Sequence, residues 1–277
     1  MWNAFTYLDW TAYFETLPAD KIDLALRLEA DRMVNSAFDP KEVESERTVI
    51  LSEREGSENE PLFRLGESVQ RQAFDHHPYR NEVVGLKEDL HAITRDDLYH
   101  HYRNYYAPNN AVLAMAGDFD TSTMLARIEA VYGPLTAAPT PPCAAGREPQ
   151  LNGERRPVVQ GPGQTPYLQL AYRCPAASDQ DFFACTVLDS LLTGPTGLNV
   201  FGGGGISNKT SRLYRALVEK ELAINISGGL QATTEPFLYD ITLTVNPSRQ
   251  PETVLEALDR EILRLQEQPV EEAEIAR

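Results

Sequence analysis

The segment ESERTVILSERE places two glutamates, Glu46 and Glu53, seven residues apart. In a helix that spacing turns through about 700°, so both carboxylates share one face and sit roughly 10 Å apart along the axis, with Ile50 on the same stripe. Carboxylates are common zinc ligands, but at that separation the two cannot bind one ion without distortion. The spacing alone favours a solvated acidic face.

Other reactive types are less suggestive. His76 and His77 precede Pro78, where adjacent side chains diverge and a polar surface loop is expected; His100 and His101 lie among Tyr99, Tyr102, Tyr105 and Tyr106, which predicts packing or surface roles. Cys143, Cys174 and Cys185 are odd in number and form no C-x-x-C pair, so reduced structural thiols are expected. The run Gly202, Gly203, Gly204, Gly205 precedes a helix start, yet Lys209-Thr210 follows Asn208 and the phosphate-loop pattern fails. A dinucleotide fingerprint also lacks its acidic partner and βαβ context.

The elements that must position these residues follow from periodicity and punctuation. Apolar residues from Pro18 to Asn35 recur at helical spacing. Asp39-Pro40-Lys41-Glu42 supplies a cap, a first-position proline and an early acid, so the helix bearing Glu46 and Glu53 is expected to run through Glu55. Further helices are predicted over Leu62 to Phe74, from Thr94 with Asp97 as its cap to Tyr106, and over Thr121 to Tyr132. Between the last two, Ala111 to Phe119 reads as a buried strand. The stretch from Gly133 to Pro166, rich in proline, glycine and small residues, suits an interdomain linker with a boundary near Gly146. Beyond it, strands are expected at Tyr167 to Arg173, Ile224 to Thr233 and Phe237 to Val245. Helices are expected at Ser178 to Leu192, Lys209 to Lys220 and Glu252 to Gln266. The fold class is therefore α+β, with two similar domains (1–146 and 147–277), each a mainly antiparallel sheet with helices packed on one face.

Composition bounds the partners. The 277 residues include 25 Lys and Arg against 41 Asp and Glu, a formal charge of −16 that repels nucleic acid and anionic lipid. No run approaches the roughly 18 apolar residues of a spanning helix, so the chain reads as soluble; its compartment is unknown, with the cytoplasm favoured. The abrupt start in patterned sequence and the stop just after an acidic helical stretch suggest domains truncated at both ends.

Taken in order, NAFTYLDWTAYFETLP, LALRLEADRMVNSAFDP, VESERTVILSERE, HPYRNEVVG and YYAPNNAVLAMAGDF resemble the first domain of the pitrilysin/insulinase peptidases. GPTGLNVFGGGGISNKTSRLYRALVEKE resembles the glycine-rich segment of their second domain. The resemblance implies a zinc metalloendopeptidase in which an inverted H-x-x-E-H motif carries two histidine ligands and a general base. It implies that Glu53 is the third, distal ligand and that Glu46 is an accompanying acid that orients the site. It gives Gly202–Gly205 a role in passing extended peptide, with a plain flexible connection as the alternative, and gives Arg212 and Tyr214 a packing or loop-anchoring role. None of the five histidines, all downstream of Glu53, forms the motif. The family places it upstream of NAFT, where only Met1 and Trp2 stand. The chain is therefore expected to hold an incomplete zinc site and to be silent alone. The alternative is a noncatalytic subunit that binds peptides or assembles with an active subunit or a second half. The expected partners are a peptide or unfolded protein substrate and a related subunit, not nucleic acid or membrane.

Overall fold

The computed structural model describes residues 1–139, 148–194 and 208–275. The chain forms two compact units, one of Met1–Ser57 with Glu82–Ala145 and one of Glu58–Asn81 with Gly146–Arg277. The expected boundary near Gly146 and the glycines 202–205 lie outside the described residues. All strand pairing among the described residues is antiparallel, and no helix there is long and apolar enough to cross a membrane.

The first unit opens with a hairpin of β1 (Trp2–Thr6) and β2 (Thr11–Glu15), in register from Trp2 opposite Glu15 to Thr6 opposite Thr11. Tyr7 N–H donates to the Trp10 carbonyl at 2.8 Å across the turn, and the Phe5 and Trp10 rings meet edge-on at 5.2 Å. Five helices follow: α1 (Ile22–Asn35), α2 (Pro40–Glu58), then α4 (Lys87–Ala92), α5 (Arg95–Tyr105) and α6 (Thr121–Tyr132), with α3 (Pro61–Ala73) belonging to the second unit. The predicted caps form. Asp97 N–H donates to Thr94 Oγ1 at 3.2 Å while Asp97 Oδ2 accepts from the Thr94 N–H at 2.8 Å, a reciprocal box that starts α5. Asp39 Oδ1 accepts from Lys41 N–H at 2.8 Å at the start of α2. Asp120, which accepts from Ser122 and Thr123, caps α6, and those hydrogen bonds to its charged form hold its carboxyl down at about 2. Leu26 and Ala30 on α1, Tyr102 on α5 and Met124 on α6 are buried, and Tyr102 ties the helices by donating from its hydroxyl to the Arg32 carbonyl at 2.8 Å.

The expected strand at Ala111–Phe119 is not present: the segment lies outside any helix or strand. Among the described residues it makes no backbone hydrogen bond, and Val112 is 96% exposed. Its apolar alternation suits a buried ladder, but a strand exists only when a neighbour satisfies its N–H and C=O groups. We expect its amides to exchange with solvent deuterium at nearly unprotected rates while those of α5 are protected. Slow exchange across 111–119 would show that the segment finds a ladder in solution.

In the second unit, β3 (Tyr167–Cys174), β5 (Phe237–Val245) and β4 (Ala223–Leu230) form a sheet in that order, both edges pairing with β5. Along β5, Tyr239, Ile241, Leu243 and Val245 alternate inward with exposures of 5% or less, and each fully buried aliphatic is worth about 1.5–3 kcal/mol. They pack with Phe182 and Leu192 of α7 (Gln180–Leu192), Leu213 and Leu217, and Val254 and Leu258 of α8 (Pro251–Glu267). Gly228 is required here, since a Cβ would lie 2.6 Å from the Thr193 methyl and 2.9 Å from Asp189 Oδ1. The helix predicted from Lys209 to Lys220 is instead a short π-helical turn, Tyr214–Val218. Leu213 and Leu217 are wholly buried in this stretch, and packing has overridden the regular helical period.

Candidate functional site

The candidate site is α2, and its surroundings decide which face it shows. Its entry turns at Phe38, whose φ of 52° is a left-handed conformation that costs a non-glycine residue about 1–2 kcal/mol. Arg95 holds that turn, donating to the carbonyls of Phe38 at 3.1 Å and Ala37 at 3.0 Å, and Phe38 packs against the Tyr102 ring at 5.2 Å. Further along, Arg47 donates to the carbonyls of Leu90 and Ile93, the latter at 2.7 Å. Arg54, the buried residue of α2, donates to the Gly85 carbonyl at 3.2 Å.

With its arginine side fixed, α2 leaves Glu46 and Glu53 exposed on the shared stripe. Glu53 lines an open groove of about 610 Å³ with Ser45, Thr48, Val49 and Ser52. Glu46 lines a separate hollow of about 440 Å³, whose apolar wall includes Val43, Ile50, Leu90 and Leu98. The hydroxyls near Glu53 are turned to the backbone: Ser52 donates to the Thr48 carbonyl at 2.8 Å and Ser57 to the Glu53 carbonyl at 3.0 Å. Neither carboxylate has a side-chain hydrogen bond or ion pair among the described residues, so the oxygens of each face solvent.

A zinc ion needs more. No group of three or more His, Cys, Asp or Glu able to hold a metal occurs among the described residues. His101 stacks on Tyr105 at 4.5 Å, in keeping with an aromatic packing role. His77, expected on a polar surface loop, is instead buried: its Nδ1 accepts from Tyr79 N–H at 3.1 Å and its ring lies 4.2 Å from that of Tyr79. Of the three cysteines, Cys143 lies outside the described residues, Cys174 and Cys185 are free thiols, and burial pushes the Cys174 thiol up to about 12. Arg212 donates through Nε and Nη2 to Glu274, 62 positions later, at 2.8 and 2.6 Å. The sequence reading missed Arg47 and Arg54, although each directly follows one of the paired glutamates and repeats their spacing.

Residues 1–87 match the family described as insulinase (peptidase family M16), and residues 92–277 match the peptidase M16 inactive domain. An uncharacterized zinc protease of Mycobacterium leprae is 28% identical over 256 residues, covering 89% of this chain and 53% of that protein. A zinc protease of Helicobacter pylori is 28% identical over 274 residues, covering 96% and 57% respectively. The chain thus spans about half the length of the curated relatives it matches. In fold it is similar to the crystal structure of a protease from Helicobacter pylori, with a TM-score of 0.88 at 24% identity over 99% of this chain and 64% of that one. The two family matches together run along nearly the whole chain, which therefore belongs to peptidase family M16, the pitrilysin/insulinase family.

Proposed function

We propose that this chain is part of a zinc-dependent metalloendopeptidase, in which Glu53 supplies one carboxylate ligand and the remaining ligands come from outside the described residues. The observation that carries the reading is the state of Glu53: exposed and without a side-chain partner, on a helix whose other side is fixed, within the segment matching the insulinase family. Glu46, two turns away over a different hollow, acts as an orienting acid. In this reading 1–146 and 147–277 are the two domains, and Gly202–Gly205 pass an extended peptide substrate. Glycine suits that task because it lets another backbone approach closely.

Alone, the chain is expected neither to retain stoichiometric zinc after dialysis nor to cleave peptides, since one carboxylate cannot replace a set of three protein ligands. In a polypeptide that carries this chain together with a histidine-bearing zinc motif, Glu53→Gln should remove most bound zinc. Glu46→Gln should weaken binding only about 10 to 100-fold. Zinc and peptide measurements on the chain and both variants provide the test. Tightly bound zinc in the chain alone, or equal metal loss in the two variants, would contradict the assignment.

A second reading is a noncatalytic subunit that contributes a peptide-handling wall beside an active relative. It is supported by the match of 92–277 to a domain described as inactive. Full zinc retention in the longer polypeptide carrying Glu53→Gln would favour it.

A further inference from the structure

We infer that Arg54, assisted by Arg47, is a positioning residue that fixes the rotation of α2 about its own axis and thereby the direction in which Glu53 points. The inference rests on the reading of Glu53 as a metal ligand, but its geometry stands independently.

Arg47 and Arg54 are seven residues apart, as Glu46 and Glu53 are, and each arginine directly follows one of the acids. Consecutive positions on a helix differ by about 100°, so the chain writes two parallel stripes, an acidic one and a basic one a quarter-turn or so round from it. The two stripes have opposite fates. Glu46 and Glu53 are exposed, whereas Arg54 is only 4% exposed and the Arg47 side chain only 14%. Both guanidinium groups reach main-chain carbonyls of one continuous stretch, Arg47 those of Leu90 and of Ile93 at 2.7 Å and Arg54 that of Gly85 at 3.2 Å, and Arg47 also pairs with Glu44 of its own helix at 3.1 Å. That stretch has a definite shape of its own. Gly85 sits at φ +80°, its N–H bonded to the Glu82 carbonyl at 2.9 Å.

Two charge-assisted anchors, two turns apart on one side of a helix, resist rotation about its axis in a way that one anchor or a layer of aliphatic contacts does not. This matters for α2 because it buries little apolar surface: Arg54 is the buried residue of its 19. A metal ligand must be held within about half an ångström and 10–20° of its working geometry by residues that are themselves locked. The arginine stripe supplies that constraint.

The test reads Glu53's direction without zinc. In the chain with Cys143 and Cys185 replaced by serine, a nitroxide is attached at Glu53→Cys or, as a control on another helix of the same unit, at Leu125→Cys. Leu125 is 60% exposed on α6. With Arg54→Met the label at 53 is expected to gain mobility while that at 125 does not change, and Arg54→Lys, which keeps the charge and a donating ammonium group, should restore most of the ordering. Unchanged mobility at 53, or an equal gain at 53 and 125, would overturn the inference. If Arg54→Met loses its helical circular dichroism, Arg54→Gln is read at the same two positions with the same outcomes. In the zinc-binding polypeptide, Arg54→Met should weaken zinc about 10 to 100-fold, with substantial recovery in Arg54→Lys. If Glu53→Gln leaves zinc unchanged there, the ligand reading fails, and the label mobilities still decide the role of Arg54.

Discussion

Phe74→Ala is expected to destabilise the second unit by about 3–5 kcal/mol, the range for truncating a fully buried phenylalanine. Phe74 is 1% exposed and sits at a junction of several elements. Its ring stacks on Phe237 of β5 at 5.7 Å and 15°, meets Tyr79 edge-on at 6.1 Å, and carries the Arg173 guanidinium 4.0 Å above its face. Arg173 also pairs with Glu148 at 3.4 Å. Glu148 in turn accepts the N–H groups of Asp75, His76 and His77 at 2.5, 3.0 and 2.7 Å. Removing the ring therefore opens a cavity and uncovers a charged group, so little relaxation can offset the loss. Urea denaturation followed by far-ultraviolet circular dichroism measures it, and a loss under 1 kcal/mol would mean that the cluster is peripheral to the fold.

Asp240→Asn should stabilise the second unit at neutral pH and do little in mild acid. Burial, reinforced by the charge of Asp189, pushes the Asp240 carboxyl up to about 6 from its usual 3.8. The folded state then holds a proton that the unfolded chain has released, so stability falls as pH rises from about 4 to about 6 and the full penalty persists above that. A shift of this size corresponds to about 2–3 kcal/mol, because each pKa unit is worth about 1.4 kcal/mol. Asparagine keeps the shape and hydrogen bonding but cannot ionise. Thermal unfolding at about pH 5 and about pH 8 should show the two proteins converging in acid, with the variant more stable at the higher pH. Parallel curves would mean that Asp240 is not the titrating group.

The sequence by itself determined what local chemistry can dictate. Thr94 with Asp97, and Asp39 before Pro40, satisfy backbone donors within a turn, so the starts of α5 and α2 follow from neighbouring residues alone. The strand at Phe237 to Val245 and the helical placement of Glu46 and Glu53 were legible for the same reason, since the periods of strand and helix are intrinsic to the backbone. Family membership was legible because several motifs recur in order along the chain. Tertiary structure decided the rest. The apolar run Ala111–Phe119 meets the requirements of a strand, but pairing depends on a neighbour that no local pattern specifies. The burial of His77 depends on packing beside Phe74 and Tyr79, and the π-helical turn at Tyr214–Val218 on how Leu213 and Leu217 enter the core. Most consequential for function, nothing local distinguishes an arginine on a solvated charged helix from one that is buried. Arg54 reaches the Gly85 carbonyl because the chain turns there, 31 positions later.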